Sequence, residues 1–169
     1  MERMWILVGM MGAGKSTLGR ELAKISGRDF KDTDTLLQNR FGRPVAQIFE
    51  VYGEQTFRGH ETSVLAGLEP THTVLATGGG IVMREENWAE LRRLGTTIFL
   101  EVPLEDLVRR LTISKKRRPL LEVEGWQDRL RELYEARLPL YQRADITFHV
   151  EFDDSTALAK RLLKRLIPE

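Results

Sequence analysis

An eight-residue run near the amino terminus constrains the fold of this chain more than any other feature. Residues 9–16 read Gly-Met-Met-Gly-Ala-Gly-Lys-Ser, which matches the pattern G-x-x-x-x-G-K-[ST] in full. The apolar run Trp5–Val8 predicts a strand buried on both faces, and Lys15–Ser26 has helical spacing that stops at Gly27. A strand, a glycine-rich loop and a helix in this order are the context that a phosphate-binding loop requires.

The residue types of this loop explain how it would hold a nucleotide. Glycines let the backbone wrap a phosphate group, so that successive N–H groups point inward. The helix that follows presents its positive amino-terminal end to the same oxygens. Lys15 supplies a mobile positive charge for the β and γ phosphates, and the Ser16 hydroxyl is a hard ligand suited to Mg²⁺. We therefore predict a nucleotide site, with a chance match as the alternative.

Three rival motifs do not fit the sequence. The stretch from Gly12 to Thr17 has threonine where a dinucleotide-binding fingerprint needs its third glycine. The stretch from His60 to Val64 has valine where a zinc-binding helix needs its second histidine. A G-x-S-x-G nucleophile elbow does not occur in the sequence.

Length and composition limit the remaining classes. The 169 residues favour one domain, which we assign to residues 1–169. With 26 basic and 25 acidic side chains the net charge is +1, so charge gives no reason to expect a nucleic-acid or membrane partner. The absence of cysteine excludes disulfides, thiolate metal sites and a cysteine nucleophile. Residues 1–14 lack the features of a secretory signal. We expect a cytoplasmic monomer that binds small molecules.

Predicted strands alternate with predicted helices along the chain. This alternation favours an α/β fold in which helices cover both faces of a parallel sheet. The strands are expected at Trp5–Val8, Arg28–Lys31, Thr73–Ala76, Thr97–Leu100 and Ile146–Val150. The helices are expected at Lys15–Ser26, Val45–Tyr52, 57–68, Glu85–Leu94, 104–111, Trp126–Ala144 and 158–166.

A basic segment interrupts the regular pattern in the second half of the chain. Six of the ten residues from Arg109 to Arg118 are basic, and residues 112–125 have no periodicity and contain Pro119. Such a run can be a solvated face or, in a strongly basic protein, a nucleic-acid patch. Here it predicts a mobile lid whose cations close over a transferring phosphoryl group.

Two acidic residues follow the second predicted strand. Asp32 and Asp34 are expected near the carboxyl edge of the sheet, where ligands bind in such folds. One carboxylate could lie near a metal ion and the other near a substrate hydroxyl. The alternative role is helix capping, with Asp34 as the N-cap before Thr35-Leu36-Leu37.

Further polar and glycine residues are candidates for a second substrate. Arg58 and Arg137 could make paired contacts with a carboxylate, although Arg58 and Glu61 could instead form an ordinary surface ion pair. Gly78-Gly79-Gly80 allows a ligand to approach the backbone closely, or forms a flexible turn. Phe49 and Phe57 could wall the pocket or pack in the core.

In these motifs, which span nearly the whole chain, the sequence resembles the shikimate kinases, within the nucleoside-monophosphate-kinase-like group of P-loop proteins. The motifs that carry the resemblance are Gly9 to Thr17, Asp32-Thr33-Asp34, Ile48-Phe49-Glu50, Gly53-Glu54, Phe57-Arg58 with Glu61, Thr77 to Gly80, Arg118-Pro119-Leu120, and Arg137 with Pro139 and Tyr141.

The resemblance implies a three-layer fold with a five-stranded parallel sheet and a mobile lid. It also implies phosphorylation of the 3-hydroxyl of shikimate with ATP and Mg²⁺, in aromatic amino-acid synthesis. Gly12, Ala13, Gly14, Lys15, Ser16 and Thr17 would hold the phosphates. Ser16 would bind Mg²⁺ and Asp32 would lie near it through water. Asp34, Arg58, Gly79, Gly80 and Arg137 would bind shikimate, and Arg118 in the lid would contact the phosphates of ATP. Lys15, Asp34 and Arg118 would be catalytic.

The chain departs from the family in one place, and two other functions remain open. The family often has a basic residue near the adenine, whereas this chain has Asp153-Asp154-Ser155. A gluconate-type kinase is a close alternative, because gluconate also carries a carboxylate beside hydroxyl groups. The other alternative is a non-catalytic nucleotide-binding module on the same fold.

Overall fold

Five parallel strands form one sheet at the centre of the protein. The computed structural model describes residues 3–151 and 153–168. The strands are β1 (Met4–Val8), β2 (Asp29–Asp32), β3 (Thr73–Ala76), β4 (Gly95–Glu101) and β5 (Ile146–His149). They lie in the order β2-β3-β1-β4-β5, and every neighbouring pair is parallel. The α/β fold with a five-stranded parallel sheet is therefore confirmed.

Eight α-helices connect and flank the strands. They are α1 (Lys15–Ser26), α2 (Thr33–Phe41), α3 (Val45–Tyr52), α4 (Glu54–Ala66), α5 (Glu85–Leu94), α6 (Leu104–Ile113), α7 (Trp126–Tyr141) and α8 (Ser155–Leu166). Two short 3₁₀ turns cover Ile81–Met83 and Pro119–Leu121. None of the helices in the described ranges is long and apolar enough to cross a bilayer.

The strand order places helices on both faces of the sheet. The chain moves from β1 to β2 in one direction and from β3 to β4 in the other. Because such crossovers are right-handed, α1 and α5 cover opposite faces. The segments after β1 and β3 therefore leave the sheet on opposite sides, which opens a crevice at the carboxyl ends of these two strands.

The predicted strands and most of the predicted helices are present in the structure, and some of them differ from the prediction in where they begin or end. All five predicted strands are present, because each consists mainly of apolar residues or adjoins such a strand. Helix α2 was not predicted, since only Thr33 and Leu37 are buried and no apolar stripe marks it. Helix α7 ends at Tyr141 rather than Ala144. The segment expected to form the lid begins after Ile113, because α6 extends to that residue.

Strands β1 and β4 approach each other closely at Gly95. Met4 pairs with Gly95 in the parallel register, and both residues are buried. A Cβ atom at Gly95 would overlap backbone atoms of Met4. The backbone φ of Gly95 is extended, so the constraint is space rather than strain.

We predict that Gly95→Ala destabilises the fold by about 2–3 kcal/mol, because the two central strands must move apart. Urea unfolding followed by circular dichroism measures this change. The control is Gly59→Ala in α4, where a Cβ atom meets nothing within 4 Å and the free energy of unfolding should stay equal or rise by up to about 1 kcal/mol. A Gly95→Ala protein as stable as the wild type would contradict the described strand contact.

Candidate active site

A cavity of about 430 Å³ lies in this crevice at the carboxyl edge of the sheet. The structure brings together there almost all of the residues predicted from the sequence. The predicted residues that line it are Gly12, Gly14, Lys15, Ser16, Thr17, Asp32, Asp34, Arg58, Gly79, Gly80, Arg118 and Arg137. Ala13 is buried within the loop and lines a neighbouring hollow instead.

The loop between β1 and α1 is wrapped by its glycines. Gly12 and Gly14 have φ values of 84° and 86°, in the left-handed region that favours glycine. The N–H of Ala13 donates to the carbonyl of Met10 at 3.1 Å, which closes a turn. The amino-terminal end of α1 then begins at Lys15, directly after this turn. The local geometry is therefore suited to an anion.

Lys15 folds back on its own loop. Its Nζ donates to the carbonyls of Gly9 at 2.6 Å and Met10 at 3.0 Å. Burial lowers the pKa of Lys15 to about 7, although the carboxylate of Asp34 opposes this shift. A phosphate group beside Lys15 would favour the charged form of the lysine side chain. It would also replace the two carbonyls as the hydrogen-bond partner of Nζ.

Asp32 connects the phosphate loop with helix α2. Its Oδ2 accepts a hydrogen bond of 2.5 Å from the Ser16 hydroxyl, and its Oδ1 accepts from the Asp34 N–H at 2.9 Å. Asp32 is therefore the N-cap of α2, and the alternative in which Asp34 has this role is wrong. Because Asp32 caps the helix, the side chain of Asp34 is left to face the cavity.

The oxygen atoms of Ser16 and Asp32 fit a Mg²⁺ site. A hydroxyl and a carboxylate are hard ligands, and Mg²⁺ usually keeps several waters and takes others from substrate phosphates. Within residues 3–151 and 153–168, no group of three or more His, Cys, Asp or Glu side chains could hold a metal ion. A metal ion at Ser16 and Asp32 would therefore depend on the nucleotide for part of its ligand set.

The environment of Asp34 disfavours its charged form. Burial raises the pKa of Asp34, and the negative charge of Asp32 adds to this effect. The ammonium group of Lys116, whose Nζ lies 3.7 Å from Asp34 Oδ2, opposes it. A carboxylate with a raised pKa in a cavity is suited to accept a proton from a substrate.

Arg58 and Glu61 form a buried ion pair one helical turn apart on α4. Arg58 Nη1 lies 2.7 Å from Glu61 Oε1, and the Glu61 side chain is only 1% exposed. Burial raises the pKa of Glu61, and the Arg58 charge opposes the shift. The alternative expected from the sequence was a surface ion pair. The structure instead buries this pair in the cavity wall.

Several polar atoms in this wall lack a hydrogen-bond partner. Among the described residues they include Nε of Arg58, Oε2 of Glu61 and Nε of Arg137. Arg137 is 2% exposed, although it carries a full charge. Buried polar atoms are usually satisfied, so these groups indicate a polar ligand in the cavity.

The three glycines after β3 let these side chains approach the backbone. A Cβ atom at Gly78 would lie 2.8 Å from Glu61 Oε2, and one at Gly80 would overlap the guanidinium group of Arg58. A Cβ atom at Gly79 would lie 3.4 Å from Arg137 Nη1. The glycine run is therefore a site of close packing between backbone and charged side chains.

Tyr141 and two phenylalanines support the same wall. The Tyr141 hydroxyl donates to the Gly79 carbonyl at 2.6 Å, and burial raises the pKa of this hydroxyl to about 12. The rings of Phe49 and Phe57 line the cavity and pack edge to face at 5.6 Å. Phe57 is also part of a small hydrophobic cluster. Its ring therefore both lines the cavity and packs in the core, which were the two roles considered from the sequence.

The basic run contributes four cations to the cavity lining, of which only Arg118 was predicted as a site residue; the four are Arg110, Lys116, Arg117 and Arg118. Arg118 is half-buried, which lowers its pKa, and its Nη1 donates to Ser114 Oγ and to the Lys116 carbonyl. Arg110 Nη1 donates to the carbonyls of Gly12 at 3.3 Å and Ala13 at 3.1 Å. Neither Arg110 nor Lys116 was predicted as a site residue. The only sequence signal for a place of Arg110 and Lys116 in the site is that both belong to the basic run.

A second hollow lies beside the phosphate loop and shares Gly14, Thr17 and Arg110 with the main cavity. Ala13, Thr17, Arg110, Asp153 and Ser155 are among the residues that line it. The sequence did not assign the adenine contacts near residues 151–155, because Asp153-Asp154-Ser155 stands where the family often has a basic residue. Phe152 lies outside the described residues.

Comparisons with known proteins agree on one family. A family model described as shikimate kinase matches residues 11–167. A shikimate kinase from Neisseria meningitidis serogroup C is 47% identical over 163 residues, which cover 95% of this chain and 94% of that protein. One from a Synechococcus species is 44% identical over 161 residues, or 95% and 82% of the two chains. The structure of shikimate kinase from Acinetobacter baumannii in complex with shikimate has a TM-score of 0.92 at 39% identity and covers 98% and 93% of the two chains.

We predict that Tyr141→Phe lowers the free energy of unfolding by about 1–2 kcal/mol, because the Gly79 carbonyl loses its buried donor. Chemical denaturation of the ligand-free protein measures the loss. Tyr134→Phe on the same helix is the control, since no hydrogen bond of that hydroxyl is found in the described structure, and it should change stability by less than about 0.5 kcal/mol. Equal effects of the two substitutions would argue against an anchor at Gly79.

Proposed function

Because this chain belongs to the shikimate kinase family, we propose that it transfers the γ-phosphoryl group of ATP to the 3-hydroxyl of shikimate in the cleft described above. One observation carries the proposal on the structural side: two buried guanidinium groups, Arg58 and Arg137, share a cavity with the phosphate loop. The product, shikimate 3-phosphate, belongs to chorismate and aromatic amino-acid synthesis.

The phosphate loop and the lid hold the nucleotide in this proposal. Backbone N–H groups of residues 12–17 donate to the phosphate oxygens, and Lys15 moves from the loop carbonyls to the β and γ phosphates. Arg118 neutralises charge on the transferred group from the lid side. Positioning and charge neutralisation supply most of the catalysis in phosphoryl transfer. The loop N–H groups, Lys15 and Arg118 would therefore account for most of the rate acceleration.

We propose Mg²⁺ as the metal, held by the Ser16 hydroxyl and, through water, by Asp32. A bound ion would supply positive charge that neutralises the phosphate oxygens. The hydrogen bond of 2.5 Å between Ser16 and Asp32 keeps both oxygens together on one side of the cavity. Asp32 also remains tied to the N–H of Asp34, which fixes its orientation.

The opposite side of the cavity binds the acceptor. Arg58 and Arg137 donate to the shikimate carboxylate, since guanidinium groups bind carboxylates through paired hydrogen bonds. The backbone of Gly79 and Gly80 follows the ring closely because side chains are absent there. Asp34 accepts the hydrogen bond of the 3-hydroxyl and orients its oxygen toward the γ-phosphorus atom.

The chemical step is a direct transfer between the two oxygens. The bond between the γ-phosphorus and the bridging oxygen of ADP breaks while the bond to the 3-oxygen forms. The hydroxyl proton passes to Asp34, whose raised pKa suits it to hold a proton, and later to solvent. ADP and shikimate 3-phosphate then leave.

The proposal extends to the state of the protein in the cell. We propose that it acts as a monomer in the cytoplasm, on small molecules only, without a nucleic-acid or membrane partner. The gluconate-type kinase and the non-catalytic module are the competing functions. A non-catalytic module would not need Lys15, Asp34 and Arg118 together in one cavity.

An assay that couples ADP release to NADH oxidation tests the proposed reaction. Shikimate and gluconate are compared at equal concentrations with Mg-ATP, and product is identified by phosphorus NMR. We expect turnover with shikimate and at least about 100-fold less with gluconate. Turnover with gluconate alone would establish the first rival, and folded protein that binds ATP without turnover would establish the second.

We predict that Lys15→Met and Arg58→Ala separate the two halves of the cavity. Lys15→Met should lower kcat by about 100-fold or more while the KM for shikimate changes little. Arg58→Ala should instead raise the KM for shikimate by roughly 30- to 100-fold, because a charge-assisted bond to the carboxylate is lost.

Arg129→Ala is the matched control for these kinetics, because Arg129 is exposed on α7 and pairs only with Glu132 among the described residues. It should leave both constants unchanged. If Arg58→Ala leaves the KM for shikimate at its wild-type value, the acceptor site has been placed wrongly.

A further inference from the structure

We infer that Arg117 is a positioning residue that clamps the lid to helix α3 and thereby directs Arg118 into the cleft. Here the lid means residues 114–125, between α6 and α7. The inference rests on the proposed role of Arg118 at the phosphoryl group. It gives Arg117 a task that differs from that of Arg118. The basic run in the sequence does not distinguish Arg117 from the cations beside it.

Arg117 uses all sides of its guanidinium group. Its Nε lies 2.7 Å from Glu122 Oε1 and its Nη2 lies 2.9 Å from Glu122 Oε2, a two-pronged contact within the lid. Its Nη1 lies 3.4 Å from Oε2 of Glu50, which belongs to α3. Arg117 therefore joins the two ends of the lid turn to each other and to a helix on the acceptor side of the cavity.

Apart from those of Arg117, the hydrogen bonds of the lid turn lie within the lid, while Leu120 and Leu121 pack against the hydrophobic core. The N–H of Leu121 donates to the Arg118 carbonyl at 2.9 Å, and the N–H of Glu122 donates to the Pro119 carbonyl at 3.3 Å. Arg118 donates to Ser114 and to the Lys116 carbonyl, both within the lid. These bonds set the shape of the turn, whereas they do not fix its position over the cavity.

Two ion pairs connect the cations of residues 115–118 to the acceptor side in the described structure. One is Arg117 with Glu50, and the other is Lys116 with Asp34 at 3.7 Å. The Lys116 pair uses the carboxylate that the acceptor hydroxyl needs, so it has to change when the acceptor binds. Glu50 does not line the cavity and is 61% exposed, so its pair with Arg117 can persist throughout the reaction.

The backbone at this point sends the two arginines in different directions. Arg118 has φ −135° and ψ 98°, an extended conformation in which neighbouring side chains project to opposite sides. Both arginines line the cavity, but the guanidinium group of Arg117 is paired with the carboxylates of Glu50 and Glu122, while that of Arg118 is half-buried and has no carboxylate partner among the described ion pairs. Pro119 follows immediately and restricts the backbone, so fixing Arg117 limits the positions that Arg118 can take.

A different explanation is that Arg117 only attracts the negatively charged nucleotide. Exposed ion pairs are weak one at a time, so the clamp requires the three contacts to act together. The two explanations differ in what Glu50 does. Neutralising Glu50 should improve attraction for ATP if charge alone matters, and it should loosen the lid if the clamp exists.

A double-mutant cycle with Glu50→Gln and Arg117→Gln tests the clamp. We expect each single substitution to lower kcat by about 5- to 20-fold with less than a 3-fold change in the KM for shikimate. The double substitution should lower kcat no further than Arg117→Gln alone, because both remove the same contact. Lys115→Gln is the control of equal charge change on an exposed lid residue outside the cavity, and it should behave like the wild type.

Limited trypsin digestion with Mg-ADP provides a readout that does not depend on turnover. Glu50→Gln leaves every tryptic site of the lid intact, and we expect it to increase the rate of cleavage at 115–118 by about 5-fold or more. Unchanged kcat and cleavage rate in Glu50→Gln, or additive effects in the double variant, would overturn the clamp. A wild-type protein without shikimate-dependent turnover would refute the proposed function instead, while the digestion would still decide on the clamp.

Discussion

The burial of charged groups at the carboxyl edge of the sheet governs how this site is built. Arg58, Glu61 and Arg137 are each at most 9% exposed, and burying a charge costs free energy unless partners compensate for it. Arg58 and Glu61 compensate each other in part. A ligand carboxylate could accept from the Nε atoms of Arg58 and Arg137, which have no partner, whereas Oε2 of Glu61 needs a donor such as a hydroxyl group.

The topology of the sheet makes such an arrangement possible. Helices that leave β1 and β3 on opposite faces open a crevice, so the phosphate loop and the glycine run after β3 lie side by side along one cavity. Asp32 then joins the two halves, because it accepts from Ser16 on the nucleotide side and from the Asp34 N–H on the acceptor side. The fold thus places the groups proposed to bind the nucleotide and those proposed to bind the acceptor in one cavity, and phosphoryl transfer requires such proximity.

The sequence predicted the parts of this picture that depend on local chemistry. The phosphate loop and the five strands follow from residue types and motif spacing, whereas the roles of Arg118, Arg137 and the glycine run in the cavity came from the resemblance to the shikimate kinases. Helix α2 was not predicted because its apolar stripe is weak. Asp34 was considered as the N-cap instead of Asp32 because aspartate is a good N-cap residue at either position. The contacts of Arg110 depend on how α6 packs against the phosphate loop, and those of Lys116 and Arg117 depend on how the lid lies over Asp34 and α3. Such contacts between distant segments leave no periodic signal in the sequence.

The central claim is that the buried guanidinium groups recognise the carboxylate of shikimate. Calorimetric titration of the protein with shikimate and with its uncharged carboxamide, both in the presence of Mg-ADP, tests this claim directly. The two ligands share the ring and its hydroxyl groups, so they differ only in the group that Arg58 and Arg137 would bind. We predict that the carboxamide binds at least about 100-fold more weakly, as expected when charge-assisted hydrogen bonds are lost. Equal affinities for the two ligands would contradict the claim.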